Sequence, residues 1–140
     1  MKVLLDTNIL LDYLLGRSDF VEPATQLLLI GNAKLISLLV TDLTIANIAY
    51  VTRSDIPKED FYRVMRKLSM CYEIIPIGRE AVNMALEAQW NDFEDALQYY
   101  AALNAEADCI VTRNVKDFAN SSIVVKTPTQ FLETEVIHLP

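Results

Sequence analysis

The residues best suited to do chemistry in this chain are acids that fall at the ends of apolar runs. Asp6 closes the run KVLL and is followed by Thr7 and Asn8. Thr112-Arg113-Asn114 closes the run DCIV, with Asp117 three residues later, and Asp92, Glu94 and Asp95 open an Ala-rich stretch just before it. Thr41-Asp42 closes a third run, with Asn47 nearly two helical turns beyond. Singly, each has a local explanation: a helix cap, first-turn charge matching or a turn bond. Jointly they would gather negative charge at one rim of a core. Two unit charges about 4 Å apart cost roughly 4 kcal/mol at an effective dielectric near 20, so such a cluster holds protons or holds a cation. Oxygen ligands without His or Cys favour Mg²⁺ or Mn²⁺ over zinc. A hard ion at an acidic rim points to phosphoryl chemistry, in which metal bridges acids to a phosphodiester and activates water. It also removes the objection that an acidic chain cannot bind RNA.

Composition excludes several alternatives. In 140 residues, 12 Lys plus Arg stand against 19 Asp plus Glu, a net charge of −7, so no general positive field attracts a partner. At 52% hydrophobic and 22% charged the chain is globular. Its length suits a single domain, residues 1–140. Gly16, Gly31 and Gly78 stand far apart, which excludes both glycine-rich phosphate loops. The single histidine, His138, argues against Ser-His catalysis and multi-histidine zinc sites. Cys71 and Cys109 have apolar neighbours and no ligand spacing, as expected of small buried side chains in a reducing compartment. Asp6, Asn8 and Asp12 interrupt the N-terminal apolar run, so it reads as neither signal peptide nor membrane span. The expectation is a soluble cytoplasmic protein.

Elements able to position these acids alternate along the chain. Strands are expected at Lys2–Leu5, Lys34–Val40, Tyr72–Ile77, Asp108–Thr112 and Ser122–Lys126. Helices are expected from Asn8, from Asp19 as a cap to Gly31-Asn32, and from Thr41 or Asp42 to about Arg53. Further ones run from Asp55 and Pro57 to near Met70, from Gly78 to about Trp90, from Phe93 to Ala107, and from Thr127-Pro128 to about Glu135. Alternation of this kind predicts an α/β fold whose mainly parallel sheet is covered on both faces. In such sheets ligands bind beyond the carboxyl ends of the strands, the edge where the acids fall.

KVLLDTNILLDYLL, the helix DFEDALQYYAALNAEADCIVTRN and the close NVKDF together resemble the PIN domain family, over about residues 2 to 133. More closely, the chain is similar to small prokaryotic single-domain PIN proteins of the VapC toxin type. The resemblance implies a three-layer α/β/α sandwich around a central parallel sheet of about five strands. It implies Mg²⁺- or Mn²⁺-dependent endoribonuclease activity on RNA, a small antitoxin partner and homodimers. By position, it implies that Asp6, Asp95 and Asp117 hold metal and catalyse, with Asn8, Thr112 and Asn114 in support. Asp92, one turn before Asp95, is a further ligand or only a cap. Many members carry a glutamate in the helix after strand two, where this chain has Asn47. An amide carries no charge and is a poor base, which favours one ion over two and leaves a weakened or inactive site as an alternative.

Other readings compete. Leu10, Leu11, Leu14, Leu15, Leu27, Leu28 and Leu29 exceed what one helix face can bury, so some could form a groove for a partner helix or a homodimer seam. A phosphotransferase of the haloacid dehalogenase or receiver type needs an acid where Asn8 stands, or an acidic pair beside the nucleophile, and a lysine after a late strand, whereas Lys116 is expected in a loop. Arg17 and Arg113 could touch an RNA backbone, although solvation fits each better. Tyr99, Tyr100 and Trp90 could stack bases, although core packing fits better.

Overall fold

A computed structural model describes residues 1–135 of the chain; His138 lies outside the described residues. The element order is β1 (Lys2–Leu5), α1 (Thr7–Leu14), α2 (Val21–Asn32), β2 (Ser37–Thr41), α3 (Asp42–Thr52), α4 (Lys58–Leu68) and β3 (Glu73–Ile75). It continues with α5 (Gly78–Ala88), α6 (Phe93–Asn104), β4 (Cys109–Val111), a 3-10 turn at Val115–Phe118, β5 (Val124–Lys126) and α7 (Pro128–Glu135). All five strands are parallel, in the order β3-β2-β1-β4-β5.

Period-two alternation sorts the strand side chains into two cores. Val3, Leu5, Leu38, Val40, Cys109 and Val111 pack against α1, α2, Ile48 of α3, Leu68 of α4 and Phe131 of α7. Leu4, Leu39 and Ile110 face the opposite way, onto Tyr99 and Ala102 of α6 and onto Phe118. Through Ala85, Ala96 and Leu97, α5 packs on α6. The result is the α/β/α sandwich expected. Order in the sheet also fixes where a ligand belongs. From β1 the chain winds outward through β2 and β3, then returns to place β4 on the other side of β1, so a crevice opens beyond the carboxyl ends of β1 and β4.

Several boundaries differ from the sequence reading for identifiable reasons. Asp19 does not cap α2. The Arg17 carbonyl accepts both the Phe20 and Val21 N–H groups, which moves the cap position to Phe20. The second strand begins at Ser37 rather than Lys34. Lys34 turns left-handed (φ 61°), and the Lys34 and Leu35 N–H groups close the end of α2 instead of pairing. Pro57 rather than Asp55 stands at the start of α4. Lys116 lies in the 3-10 turn and not in an open loop.

Most of the surplus leucine is core. Leu10, Leu11, Leu27 and Leu28 are buried and Leu14 and Leu15 pack against them, because α1 is covered by the sheet on one side and α2 on another; Leu29 alone of the seven is largely exposed. Trp90, Tyr99 and Phe118 pack ring against ring. Cys109 is buried, Cys71 half-buried, and both thiols are free. No described helix is long and apolar enough to cross a membrane.

Candidate active site

Asp6 stands at the crevice beyond β1. Its extended backbone (φ −66°, ψ 153°) ends the strand and caps α1: Oδ1 accepts from the Thr7 N–H at 2.8 Å. Its other oxygen, Oδ2, accepts from Thr112 Oγ1 at 2.9 Å, across from the end of β4. The Thr112 hydroxyl in turn accepts from the Asn114 N–H at 3.1 Å. One buried threonine therefore couples Asp6 to the segment that carries Asn114 and Asp117, whose N–H donates to the Asn114 carbonyl. Thr112 faces Asp6 and is itself buried, so its part in the site is to hold the acid.

Asp92 caps α6, accepting from the Asp95 N–H at 3.0 Å, and this bond sets the first turn from which Asp95 projects. Asn47 comes from α3, whose cap is Thr41. Asp6, Asn8, Asn47, Asp92, Asp95, Asn114 and Asp117 all line one cleft of about 350 Å³, together with Glu94 and Tyr50. Five carboxylates line it and no basic side chain does.

The electrostatic consequence falls on three acids. Burial, the Asp6 carboxylate and then Asp92, Asp117 and Glu94 push Asp95 up to about 7, from an ordinary 3.8. Burial raises Asp6 as well, against the lowering pull of its Thr112 and Thr7 bonds. Glu94 is raised by burial, then by Asp6 and Asp92, with the Asn47 amide partly opposing the rise. The sequence places Glu94 among the acids of the rim without a role in holding metal. Its signal was the pair Glu94-Asp95 in the first turn of one helix, of which only the second had been assigned a role. Facing Asn47, it brings a carboxylate to the part of the cleft where position 47 lacks one.

Among the described residues, no three carboxylate, imidazole or thiol groups stand close enough to hold a metal ion as placed. The donor set nevertheless fits a hard cation: carboxylate and amide oxygens only, lining a common cleft in which burial and neighbouring acids raise Asp95.

Behind the cleft lie two polar arrangements that sequence reasoning missed. Gln98 is fully buried on α6, one turn past Asp95. Its Oε1 accepts from Thr41 Oγ1 at 3.1 Å, and its Nε2 donates to Thr44 Oγ1 at 2.9 Å, which lies 2.8 Å from Thr7 Oγ1. The network ties α6, α3 and the start of α1 together, the elements that present Asp95, Asn47 and Asn8. Its signal was a lone amide in the apolar stretch ALQYYAAL.

The second arrangement centres on Asp12, at 1% exposure. It pairs with Arg17 at 3.1 Å and with Arg113 Nε at 2.9 Å; the latter approach pairs charges without aligning a hydrogen bond. The Arg113 guanidinium also lies over the Phe20 ring, 4.1 Å from its centroid. These two arginines therefore neither stand solvated nor reach outward as the sequence reading had them. A buried carboxylate must be paired, and Asp12 takes both.

Comparison with known proteins gives a consistent result. The model of the PIN domain family matches residues 2–116. Ribonuclease VapC1 of Aquifex aeolicus (strain VF5) is 30% identical over 137 residues, which cover 94% of each chain. A toxin–antitoxin complex from Klebsiella pneumoniae contains a chain 26% identical, with a TM-score of 0.68, covering 90% of this chain and 97% of that one. FitAcB from Neisseria gonorrhoeae matches with a TM-score of 0.71 at 16% identity, covering 91% of this chain and 98% of its own. VapBC2 from Rickettsia felis, bound to a promoter DNA fragment, matches at 0.68 and 18% identity, with coverage of 91% and 98%. The last two speak for the fold alone.

Proposed function

The chain belongs to the PIN domain family, and we propose that it is an endoribonuclease dependent on one divalent cation, Mg²⁺ or Mn²⁺, serving as the toxin of a toxin–antitoxin pair. The observation that carries this reading is the cleft at the sheet's switch point, lined by five carboxylates and no cation. Similarity to a VapC1 ribonuclease and to a chain of a toxin–antitoxin complex supports it. On this reading residues 1–140 act as one PIN-like domain, a small antitoxin protein is its partner, and the chain forms homodimers.

Asp6, Asp95 and Asp117 would hold the ion, with Glu94 contributing the charge that Asn47 does not. When bound, such an ion lowers the pKa of a coordinated water and neutralises charge on a phosphate. The chain's own residues do the rest. Asp6 stays fixed because both its oxygens are bonded, so its orientation survives substrate entry. Asn8, Asn47 and Asn114, from three separate segments, would offer amide N–H donors to water or phosphate oxygens. Gln98 and its threonines keep α6 and α3 at a fixed separation.

The test is cleavage of single-stranded RNA with Mn²⁺ by the wild type and by Asp95→Asn. EDTA should abolish cleavage, and the variant should lose about 100-fold or more. Cleavage that persists in EDTA, or at full rate in the variant, would overturn the proposal. Asn47 favours a second reading, an RNA-binding module with a relaxed site. In that case the wild type binds RNA without cutting it, and Asn47→Glu gains activity.

A further inference from the structure

Tyr50 lines the acidic cleft yet remains 66% exposed, an unusual place for a large ring in a chain with ample core to receive it. It is also held in position. The Arg53 guanidinium lies 3.8 Å from the ring centroid and donates to the Tyr50 carbonyl at 2.6 Å. Arg53 has no ion-pair partner among the described residues, although the chain has acids in excess. A cation left unpaired beside an acidic cleft, stacked on one face of an exposed aromatic ring, forms a platform rather than a packing contact. Tyr50 follows Asn47 by one turn of α3, about 4.5 Å along the helix axis, which is less than the span of one nucleotide. A smaller hollow of about 160 Å³ shares Asp92 and Asp117 with the cleft and has Lys116 in its lining. Two cationic groups, Arg53 on the Tyr50 ring and Lys116 in the adjoining hollow, therefore border the acidic cleft, where the backbone of a bound polyanion needs them.

We propose that Tyr50, backed by Arg53, is a nucleobase subsite for single-stranded RNA, in which the base adjoining the cleaved phosphate stacks on the open face of the ring. The inference rests on the ribonuclease reading and specifies its substrate. Stacking needs a free base face, so paired RNA, whose bases cover one another, does not fit the subsite. Arg53 offers its charge to the neighbouring phosphate, and because a ring face accepts any base, the subsite selects for strandedness and not for sequence.

The test uses a single-stranded oligoribonucleotide carrying 2-aminopurine, whose fluorescence is quenched on stacking, with Ca²⁺ as the cation. Wild type, Tyr50→Phe and Tyr50→Leu are compared for quenching, affinity and oligomeric mass. Tyr50→Phe should keep quenching and affinity within about twofold, and Tyr50→Leu should lose quenching and bind about 10-fold more weakly, with unchanged melting temperature and mass. Equal quenching and affinity in Tyr50→Leu would overturn the subsite. So would a change of oligomeric mass in Tyr50→Leu with quenching intact, which would make the ring a contact between copies. If the wild type cleaves RNA while Tyr50→Leu behaves like it, the subsite alone fails. If the wild type neither binds nor cleaves RNA, the ribonuclease reading fails with it.

Discussion

Replacing Asp95 by Asn should make the metal-free protein more stable above neutral pH, even as it removes a proposed ligand. The Asp95 carboxyl rises from 3.8 to about 7 because burial and four neighbouring carboxylates penalise its charged form. A raised acid binds its proton more tightly in the folded chain than in the unfolded one. Its stabilising contribution is complete below about pH 4 and is lost as pH climbs through about 7. Taken whole, a rise of about 3 pH units equals about 4 kcal/mol. Asp95 is only half-buried, so solvent screening reduces this to about 1–2 kcal/mol. The α6 N-terminus favours the carboxylate by less than about 1 kcal/mol and does not reverse the sign. Asparagine has the shape of the protonated acid and never charges. In EDTA at pH 8 the variant should therefore melt about 3–7 °C higher than wild type, given an unfolding entropy of about 2 cal/mol/K per residue. At pH 4 the two should melt together. Thermal unfolding followed by circular dichroism at both pH values measures this. A lower melting temperature for the variant at pH 8, or the same difference at pH 4, would refute the argument that burial and the neighbouring carboxylates penalise the charged acid.

Three further substitutions probe the packing that supports the fold outside the cleft lining. Gln98→Met keeps the volume but removes the acceptor of Thr41 Oγ1 and the amide donor to Thr44 Oγ1, leaving these hydroxyls only each other and Thr7; urea unfolding should show a loss of about 1 kcal/mol, and no loss would mean that the network bears no load. Asp12→Asn removes the charge shared by Arg17 and Arg113 and should cost about 3 kcal/mol in the same assay, whereas a change within about 0.5 kcal/mol would show the pair to be solvated. Gly31→Ala would press a methyl against the Leu38 side chain and to within 2.5 Å of the Cys71 carbonyl; an overpacking cost of about 1–3 kcal/mol should appear as a lower urea midpoint, and an unchanged midpoint would mean that α2 can shift.

Features written locally in the chain were legible in it. Strand β1 is four residues stopping just before Asp6, and the caps Thr41 and Asp92 announce their helices by residue type alone. The acids could be assigned to one edge because each follows a strand or opens a helix, and parallel topology sends those ends the same way. Features that depend on distant partners stayed hidden. Asp12 sits between Leu11 and Tyr13 as an ordinary helix polar residue, and its partner Arg113 enters only after β4 has crossed back beside β1. The apposition of Glu94 and Asn47 joins α6 to α3, and Gln98 meets Thr41 and Thr44 from 57 and 54 residues away. Lys34 and Leu35 carry strand-like neighbours, yet their N–H groups end a helix, a choice that depends on where the chain must turn.

At the centre of the account is one claim, that carboxylates from three separate segments share a single divalent ion. Calorimetric titration of Mn²⁺ into the wild type, Asp95→Asn and Asp117→Asn measures it directly. One saturable site in the wild type, weakened at least about 10-fold in each variant, is the predicted result. Binding of equal strength in all three proteins, or none in the wild type, would contradict it.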